Sequence, residues 1–197
     1  MNKSLLSGVL VIIVALGSEF ARAQQPARAT SAQKALTVNV PDVTKPVLKE
    51  IEDIEKRVVA VAEDFPDDLY NTYRPKANPD LRTAAEIFLH IAEQNYSAAA
   101  LIRTGQQQEA LIAAGKVPHA ADILTYVSKQ DTVEKVKGSF AAVRDAIENN
   151  PNPVGSGSNS ETNLALWLYV IAHGNGHFGN LVTYYRDNGL VPPTSRQ

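Results

Sequence analysis

The sequence predicts an all-α protein, a four-helix bundle that follows an N-terminal signal peptide. Four segments repeat their apolar residues at spacings of three and four, which is typical of helices that bury one face. No segment alternates apolar and polar residues over a length that would support a sheet. The chain has 197 residues, 44% of them hydrophobic, enough for one domain with its own core.

Residues 1–23 have the features of a cleaved signal peptide. Lys3 supplies a positive start, and 5–16 is an apolar run. That run is well short of the roughly 20 residues that a membrane-spanning helix needs, so an uncleaved anchor is the weaker alternative. Small residues at Ala21 and Ala23 predict cleavage after Ala23 and export, to a bacterial periplasm or the medium.

Two regions follow the predicted cleavage point: a flexible lead-in at 24–45, rich in Ala, Gln, Thr and Pro, and a bundle domain at 46–197. The chain contains no cysteine, so no disulfide stabilises it. Its 19 basic and 21 acidic residues give a net charge of −2. This balance favours neither nucleic acid nor an anionic membrane as a partner. After cleavage no stable membrane span is expected.

The first two helices are indicated by their starts and stops. The first is predicted to open at Pro46, whose fixed φ suits a helix start, and to end before Pro66. A loop is expected at 67–80. Thr83 and Glu86 then form a capping box at the start of the second helix. The expected buried positions are Val47, Ile51, Ile54, Val58, Val61 and Phe65 in the first helix, and Ile87, His90, Ile91, Gln94, Ala98 and Leu101 in the second.

The last two helices are predicted in the same way. Ser128 or Asp131 caps the third, whose apolar stripe comprises Val133, Val136, Phe140, Val143 and Ile147. The fourth runs from about Glu161 to Asp187 and ends at Gly189, a residue suited to the left-handed conformation. The expected connections are a stretch with a short helix at 109–114 and a Pro-, Gly- and Ser-rich linker at 149–158.

Three histidines form the candidate site. His173 and His177 stand four residues apart on one face of the fourth helix, and His90 lies on the apolar side of the second. Imidazole is a common ligand for zinc, nickel and iron, and three ligands leave coordination positions open. The pattern predicts one divalent metal ion. Alternatively, the pair at 173 and 177 faces water, and His90 is a hydrogen-bonded core residue.

Neighbouring residues sharpen and limit this prediction. Gly174 and Gly176 each cost about 1 kcal/mol in a helix interior, which suggests a close approach there, by a ligand or by a packed helix. A glycine at 174 excludes the H-E-x-x-H motif of zinc proteases. A di-iron bundle needs paired E-x-x-H motifs, and this chain has only the reversed His90-x-x-Glu93.

The C-terminal helix resembles that of the DinB-like (damage-inducible, YfiT-like) metal-binding four-helix bundles. The resemblance rests on AHGNGHFGNLVTYYR at 172–186 and NGLVPPTSR at 188–196, with support from HIAEQNY at 90–96 and YRP at 73–75. It implies a bundle with a three-histidine site, carried over here to His90, His173 and His177. Such bundles often pair, so a homodimer is a further expectation.

The resemblance leaves the reaction open. Many relatives have a glutamate directly before the last histidine, where this chain has Gly176. Some relatives resemble S-transferases that use intracellular thiols, which fits an exported protein poorly. Three alternatives remain: a metal-dependent hydrolase or transferase acting on a small molecule, a non-enzymatic metal- or ligand-binding module, or an interaction domain whose histidines are structural.

Overall fold

The computed structural model describes residues 42–76, 78, 80–104, 113, 118–154 and 162–196. Across these ranges the regular structure is helical and contains no β-strand, which confirms the predicted all-α class. The helices are α1 (Thr44–Asp64), α2 (Asp67–Tyr70), α3 (Ala84–Thr104), α4 (Ala120–Leu124), α5 (Lys129–Asn149) and α6 (Asn163–Asp187), followed by a 3₁₀ turn at Pro193–Ser195.

The four long helices pack as a bundle in which α1 and α3 each contact both α5 and α6. Helices α1 and α6 run parallel, since Asp64 at the end of α1 accepts a hydrogen bond from Tyr185 near the end of α6. Helices α3 and α5 are also parallel, as the ion pair between Arg103 and Asp145 near their ends shows. Parallel neighbours cannot be joined by a tight turn. The order is therefore not a simple up-and-down meander, and α3 lies antiparallel to α6.

The predicted apolar stripes of α1 and α5 form part of the core, whereas three of the positions predicted to be buried in α3, His90, Gln94 and Leu101, are half-buried. All six stripe residues of α1 are buried, as are all five of α5. Trp167 of α6 is fully buried inside the bundle. Helix α3 is buried on several sides, because α5, α6 and α4 all pack against it. Periodicity therefore located the core face of the two helices with one clear stripe.

Two predicted helix starts are displaced. Helix α1 begins at Thr44, two residues before Pro46, because the proline ring is tolerated anywhere in the first turn, where the N–H groups have no helical partner. Helix α6 begins at Asn163 rather than near 161. Its N-cap is Thr162, whose Oγ1 accepts a backbone hydrogen bond from the first turn.

The segment predicted as a loop at 67–80 contains a short helix, α2. Its first turn carries Asp67 and Asp68, whose charges favour a helix N-terminus. The helix also places Tyr70 in the core, where its ring stacks on Phe88 with centroids 5.5 Å apart. The burial of Tyr70 in the core thus favours a helix in a segment whose prolines predict a loop.

The predicted caps are confirmed. The backbone N–H of Thr83 donates to Oε2 of Glu86 at 2.7 Å, and the N–H of Glu86 donates to Oγ1 of Thr83 at 3.2 Å. Of the two residues predicted to cap α5, Ser128 is the N-cap: its Oγ accepts a hydrogen bond from the N–H of Asp131 at 3.1 Å. Gly189 has φ of 70° directly after α6, the left-handed conformation expected there.

Several predictions concern residues beyond the described ranges. They are the signal peptide at 1–23, the lead-in up to 41, most of the short helix at 109–114, and the Gly- and Ser-rich part of the linker at 155–158. Among the helices that are described, none is both long and apolar enough to cross a membrane.

Candidate metal centre

Three imidazoles meet between α3 and α6. His90 lies in the second turn of α3, and His173 and His177 lie one turn apart near the middle of α6. Nε2 of His173 is 3.2 Å from Nε2 of His90 and 3.1 Å from Nε2 of His177. The three side chains are half-buried, and their nitrogens lie within 4.8 Å of one another. Residues more than 80 positions apart in the chain thus present nitrogens to one point.

The contacts join nitrogen to nitrogen. Neighbouring ring planes are inclined by 72° to 87°, with centroids 4.5 to 5.0 Å apart, so the rings do not stack. One imidazole nitrogen carries either a single hydrogen or a single lone pair, so Nε2 of His173 cannot bond well to both neighbours. A tetrahedral metal with bonds of 2.0 to 2.1 Å sets its ligand nitrogens about 3.3 Å apart. The three side chains therefore fit a shared cation.

The histidines are held in the neutral form that binds metals. Burial lowers the pKa of His173 and His177 to about 4, and the charges of the neighbouring imidazoles and of Arg82 act in the same direction. Burial and Arg82 also lower the pKa of His90, against an opposing effect of Glu93. At neutral pH all three rings therefore offer a lone pair without prior loss of a proton.

A polar bridge joins the two helices beside the histidines. The ring of Tyr169 stacks on His173 with centroids 5.3 Å apart and planes inclined by 20°. Its hydroxyl donates to Oε1 of Gln94 at 2.7 Å, and Nε2 of Gln94 donates to Oε2 of Glu93 at 2.5 Å. Tyr169 is not a core residue: 43% of its surface is exposed, so it lies at the edge of the contact between α3 and α6.

The spacing of residues in the sequence carries a signal for this bridge. Tyr169 precedes His173 by four residues, and Gln94 follows His90 by four. Residues four apart share a helix face, so both belong to the helix faces that carry the histidines. The antiparallel packing of α3 on α6 then brings the two together. Only that packing direction, which the sequence does not reveal, decides that they pair.

The two glycines between the ligands have different environments. A Cβ at Gly174 would lie 3.0 Å from Cγ1 of Ile54, so the prediction of close approach is confirmed there, and the cause is packing against α1. At Gly176 the same prediction is wrong for the described part of the chain, because a Cβ would meet nothing within 4 Å. Gly176 is exposed and leaves the solvent side of His177 open.

The outer nitrogens of two histidines lack partners. Nδ1 of His173 and Nδ1 of His177 are buried and make no hydrogen bond within the described ranges. In many metal sites this second nitrogen donates to a carboxylate or carbonyl that orients the ring and strengthens the ligand. Ring orientation here depends instead on burial and on the stacked ring of Tyr169.

Two carboxylates of α3, Glu86 and Glu93, stand within four residues of His90. Glu86 is engaged elsewhere: it closes the capping box with Thr83, and Oε1 accepts from Arg74 at 2.7 Å. Glu93 is largely buried one turn from His90, and its charge raises the pKa of that imidazole. Of the two, Glu93 is the carboxylate that lies beside the site.

Three polar residues outside the site are exposed. His119 stands at the N-cap of α4. The carboxylate of Asp64 accepts hydrogen bonds from the guanidinium of Arg196 at 2.6 and 2.7 Å. This surface contact ties the C-terminal segment to the end of α1.

No known family model matches this chain, and no curated protein does. The functional assignment therefore rests on the geometry of the three histidines.

Proposed function

We propose that this chain is an exported metal-binding bundle of the DinB-like type, and that His90, His173 and His177 hold one divalent metal ion. The observation that carries the proposal is the convergence of three Nε2 atoms, with neighbouring distances of 3.1 and 3.2 Å, from two antiparallel helices. Neutral imidazoles that are half-buried and converge on one point have no evident structural purpose without a shared cation.

Three protein ligands leave one or more coordination positions for water or a substrate oxygen. When bound, the ion would supply Lewis acidity, which lowers the pKa of a coordinated water or polarises a carbonyl. The chain's own residues would hold the ion and orient its ligands. Tyr169 and Gln94 fix α6 against α3 at the level of His173. Three imidazoles alone do not select among zinc, nickel and iron.

The favoured activity is metal-dependent hydrolysis or group transfer on a small molecule. The exposed backbone at Gly176 leaves the site accessible, which a purely structural metal site does not need. A non-enzymatic binding module is the second candidate. It is supported by the partnerless Nδ1 atoms and by the glycine in place of a carboxylate before His177, since both remove groups that catalytic metal sites use.

Metal analysis tests the site itself. The mature protein, residues 24–197, is prepared without a histidine tag beside a variant with alanine at His90, His173 and His177. His119→Ala is the matched control, because this histidine is exposed and lies outside the site. We expect near one equivalent of zinc, nickel or iron in the wild type and the control, and none in the triple variant. Equal metal content in all three proteins, or none after reconstitution, would refute the metal site.

Cobalt substitution separates the two candidate functions. An open site exchanges its water, so azide or cyanide should shift the visible spectrum of the cobalt protein. A closed site would leave the spectrum unchanged. That result would refute the enzymatic proposal and agree with a non-enzymatic binding module.

Export has its own test. N-terminal sequencing of protein recovered from the periplasm of an expressing bacterium should begin at Gln24. Recovery of the uncleaved chain in the cytoplasm would contradict export and leave the metal site untouched.

A further inference from the structure

Arg82, at the start of the helix that carries His90, is an arginine whose side chain has no partner among the described residues. Arg82 immediately precedes the capping box of α3, and its carbonyl accepts a hydrogen bond from the hydroxyl of Tyr184 at 2.7 Å. This bond fixes the residue against α6. Its side chain is exposed and makes no hydrogen bond or ion pair within the described ranges. Nearby Arg74, in contrast, is paired with Glu86 at 2.7 Å.

The position of Arg82 along the groove follows from the helix. Tyr184 comes seven residues, or two turns, after His177 on the same face of α6. At 1.5 Å per residue this places the anchor of Arg82 about 10 Å along the groove from His177. Consistently, the charge of Arg82 contributes to the lowered pKa of each of the three histidines.

The electrostatics of this arrangement call for an anion. Arg82 places a permanent positive charge beside three neutral imidazoles, and a divalent cation among them would add two more. The Glu86 carboxylate near the start of α3 already pairs with Arg74. A guanidinium presents donors in a planar fork that matches the two oxygens of a carboxylate. Glu93 beside His90 supplies one negative charge, and an anionic ligand that reaches from the histidines to Arg82 would offset the positive charge that remains.

We propose that the site binds a small organic dicarboxylate, with one carboxylate at the metal and the other paired with the Arg82 guanidinium. The inference rests on the proposed metal site and names the class of ligand. The ligand lies along the groove between α3 and α6, from the histidines towards the start of α3. Gly176, which has no side chain, leaves room on the solvent side of His177. Tyr169 lies at the opposite end of the site.

The test uses the mature protein loaded with cobalt(II) in a non-coordinating sulfonate buffer. Cobalt affinity is measured first for the wild type, Arg82→Ala, Arg82→Lys and the control Arg186→Ala, which removes an exposed arginine of α6 outside the groove contact described here. The four proteins should bind cobalt alike, with a slight gain in Arg82→Ala from the loss of a like charge. Thermal unfolding confirms that each variant is folded.

Each cobalt protein is then titrated with acetate, succinate, glutarate, adipate and inorganic phosphate, and binding is read from the visible spectrum. In the wild type and Arg186→Ala, at least one dicarboxylate should bind about tenfold more tightly than acetate. Arg82→Ala should lose that preference, and Arg82→Lys should keep part of it, because lysine retains the charge without the planar fork.

The outcomes separate the two proposals. Failure of cobalt to bind would overturn the metal site and, with it, the dicarboxylate inference. Cobalt binding with equal affinity for acetate and all dicarboxylates, or a preference that survives in Arg82→Ala, would overturn the inference alone. A phosphate preference that depends on Arg82, without one for any dicarboxylate, would also overturn it and assign the arginine to a phosphorylated ligand.

Discussion

The groove between α1 and α5 and the groove between α3 and α6 lie on opposite sides of the bundle. The first encloses about 1010 Å³ and is lined mainly by charged side chains. Those charges are paired: Arg144 bonds to Glu55 across the groove, and Lys137 pairs with Glu63 at 2.7 Å. Several of the charged groups there are thus neutralised by partners in the protein itself. Volume alone is thus a poor guide to a functional site.

The second groove has the opposite character. Nδ1 of His173 and of His177 are buried without a partner in the described chain, and the guanidinium of Arg82 is unpaired. A buried polar group that lacks a hydrogen bond costs about 1 to 3 kcal/mol, whereas the exposed guanidinium of Arg82 is solvated. What distinguishes the second groove is the convergence of three imidazole nitrogens, which a shared cation would explain.

The largest expected effect concerns metal-dependent stability. At a free metal concentration 100 times the dissociation constant, binding should raise the free energy of unfolding by about 2.7 kcal/mol. Alanine at His90, His173 or His177 should abolish this increase. Chemical denaturation with and without zinc measures it, with His119→Ala as the control that keeps the full increase. A single-histidine variant that retains the increase would contradict a three-ligand site.

The next effect is the pH dependence of the metal-free protein. The pKa of His173 and of His177 is about 4 in the folded chain, whereas the ordinary value of 6.5 applies to the unfolded chain. Below pH 6.5 the unfolded chain binds protons that the folded chain does not. Stability is therefore complete above pH 6.5 and falls as the pH drops towards 4. After a discount for partial solvation, the loss should be on the order of 2 kcal/mol.

The control for this pH effect is the double variant His173→Gln, His177→Gln. Carboxylates such as Asp64 and Glu86, whose pKa values are lowered, lose stability at acid pH in both proteins, so the difference isolates the histidines. Urea unfolding at pH 7 and at pH 4.5 gives that difference. If the free energy of unfolding fell equally in the two proteins between pH 7 and pH 4.5, the histidines would not be held neutral by burial.

A smaller effect should separate the two glycines. Gly176→Ala adds a methyl group in open space and should stabilise α6 by about 1 kcal/mol through helix propensity. Gly174→Ala presses on the buried Ile54 and should destabilise by about 1 kcal/mol, since overpacking outweighs the same gain. Thermal unfolding of both metal-free variants provides the measurement. Equal shifts would show that α1 yields at Ile54.

The smallest effect belongs to the paired groove. Glu55→Gln breaks the ion pair with Arg144 on the surface of the bundle and should cost at most about 1 kcal/mol. Metal content and dicarboxylate binding should remain at wild-type values, because this groove lies on the opposite side. A loss of metal in Glu55→Gln would show that the two grooves are coupled rather than independent.

Much of the fold was predictable because it depends on local spacing. The stripes of α1 and α5 and the capping box of α3 were all recognised from residues a few positions apart. The predicted starts of α1 and α6 each differ from the observed starts by two residues. A proline or a cap residue does not by itself fix which position of the first turn begins the helix. Helix α2 was missed because its order comes from the burial of Tyr70 against residues distant in the chain.

The site was predictable in part for the same reason. His173 and His177 are four apart on one helix, and His90 was added from its place on an apolar face and from the resemblance. Tyr169, Gln94 and Arg82 were not connected with the site, although the first two share helix faces with the histidines. Their roles depend on which residues of α3 face which residues of α6.

The sequence by itself determined the helical class, the buried faces of α1 and α5, the principal caps and the three candidate ligands. These follow from periodicity and from hydrogen bonds within one turn, which nearby residues control. Only the tertiary structure decided that α3 packs antiparallel to α6 and that the three Nε2 atoms converge. It alone distinguished Gly174, closed by Ile54, from Gly176, which is open. Contacts between distant segments depend on how whole helix faces fit together, and no local pattern specifies that fit.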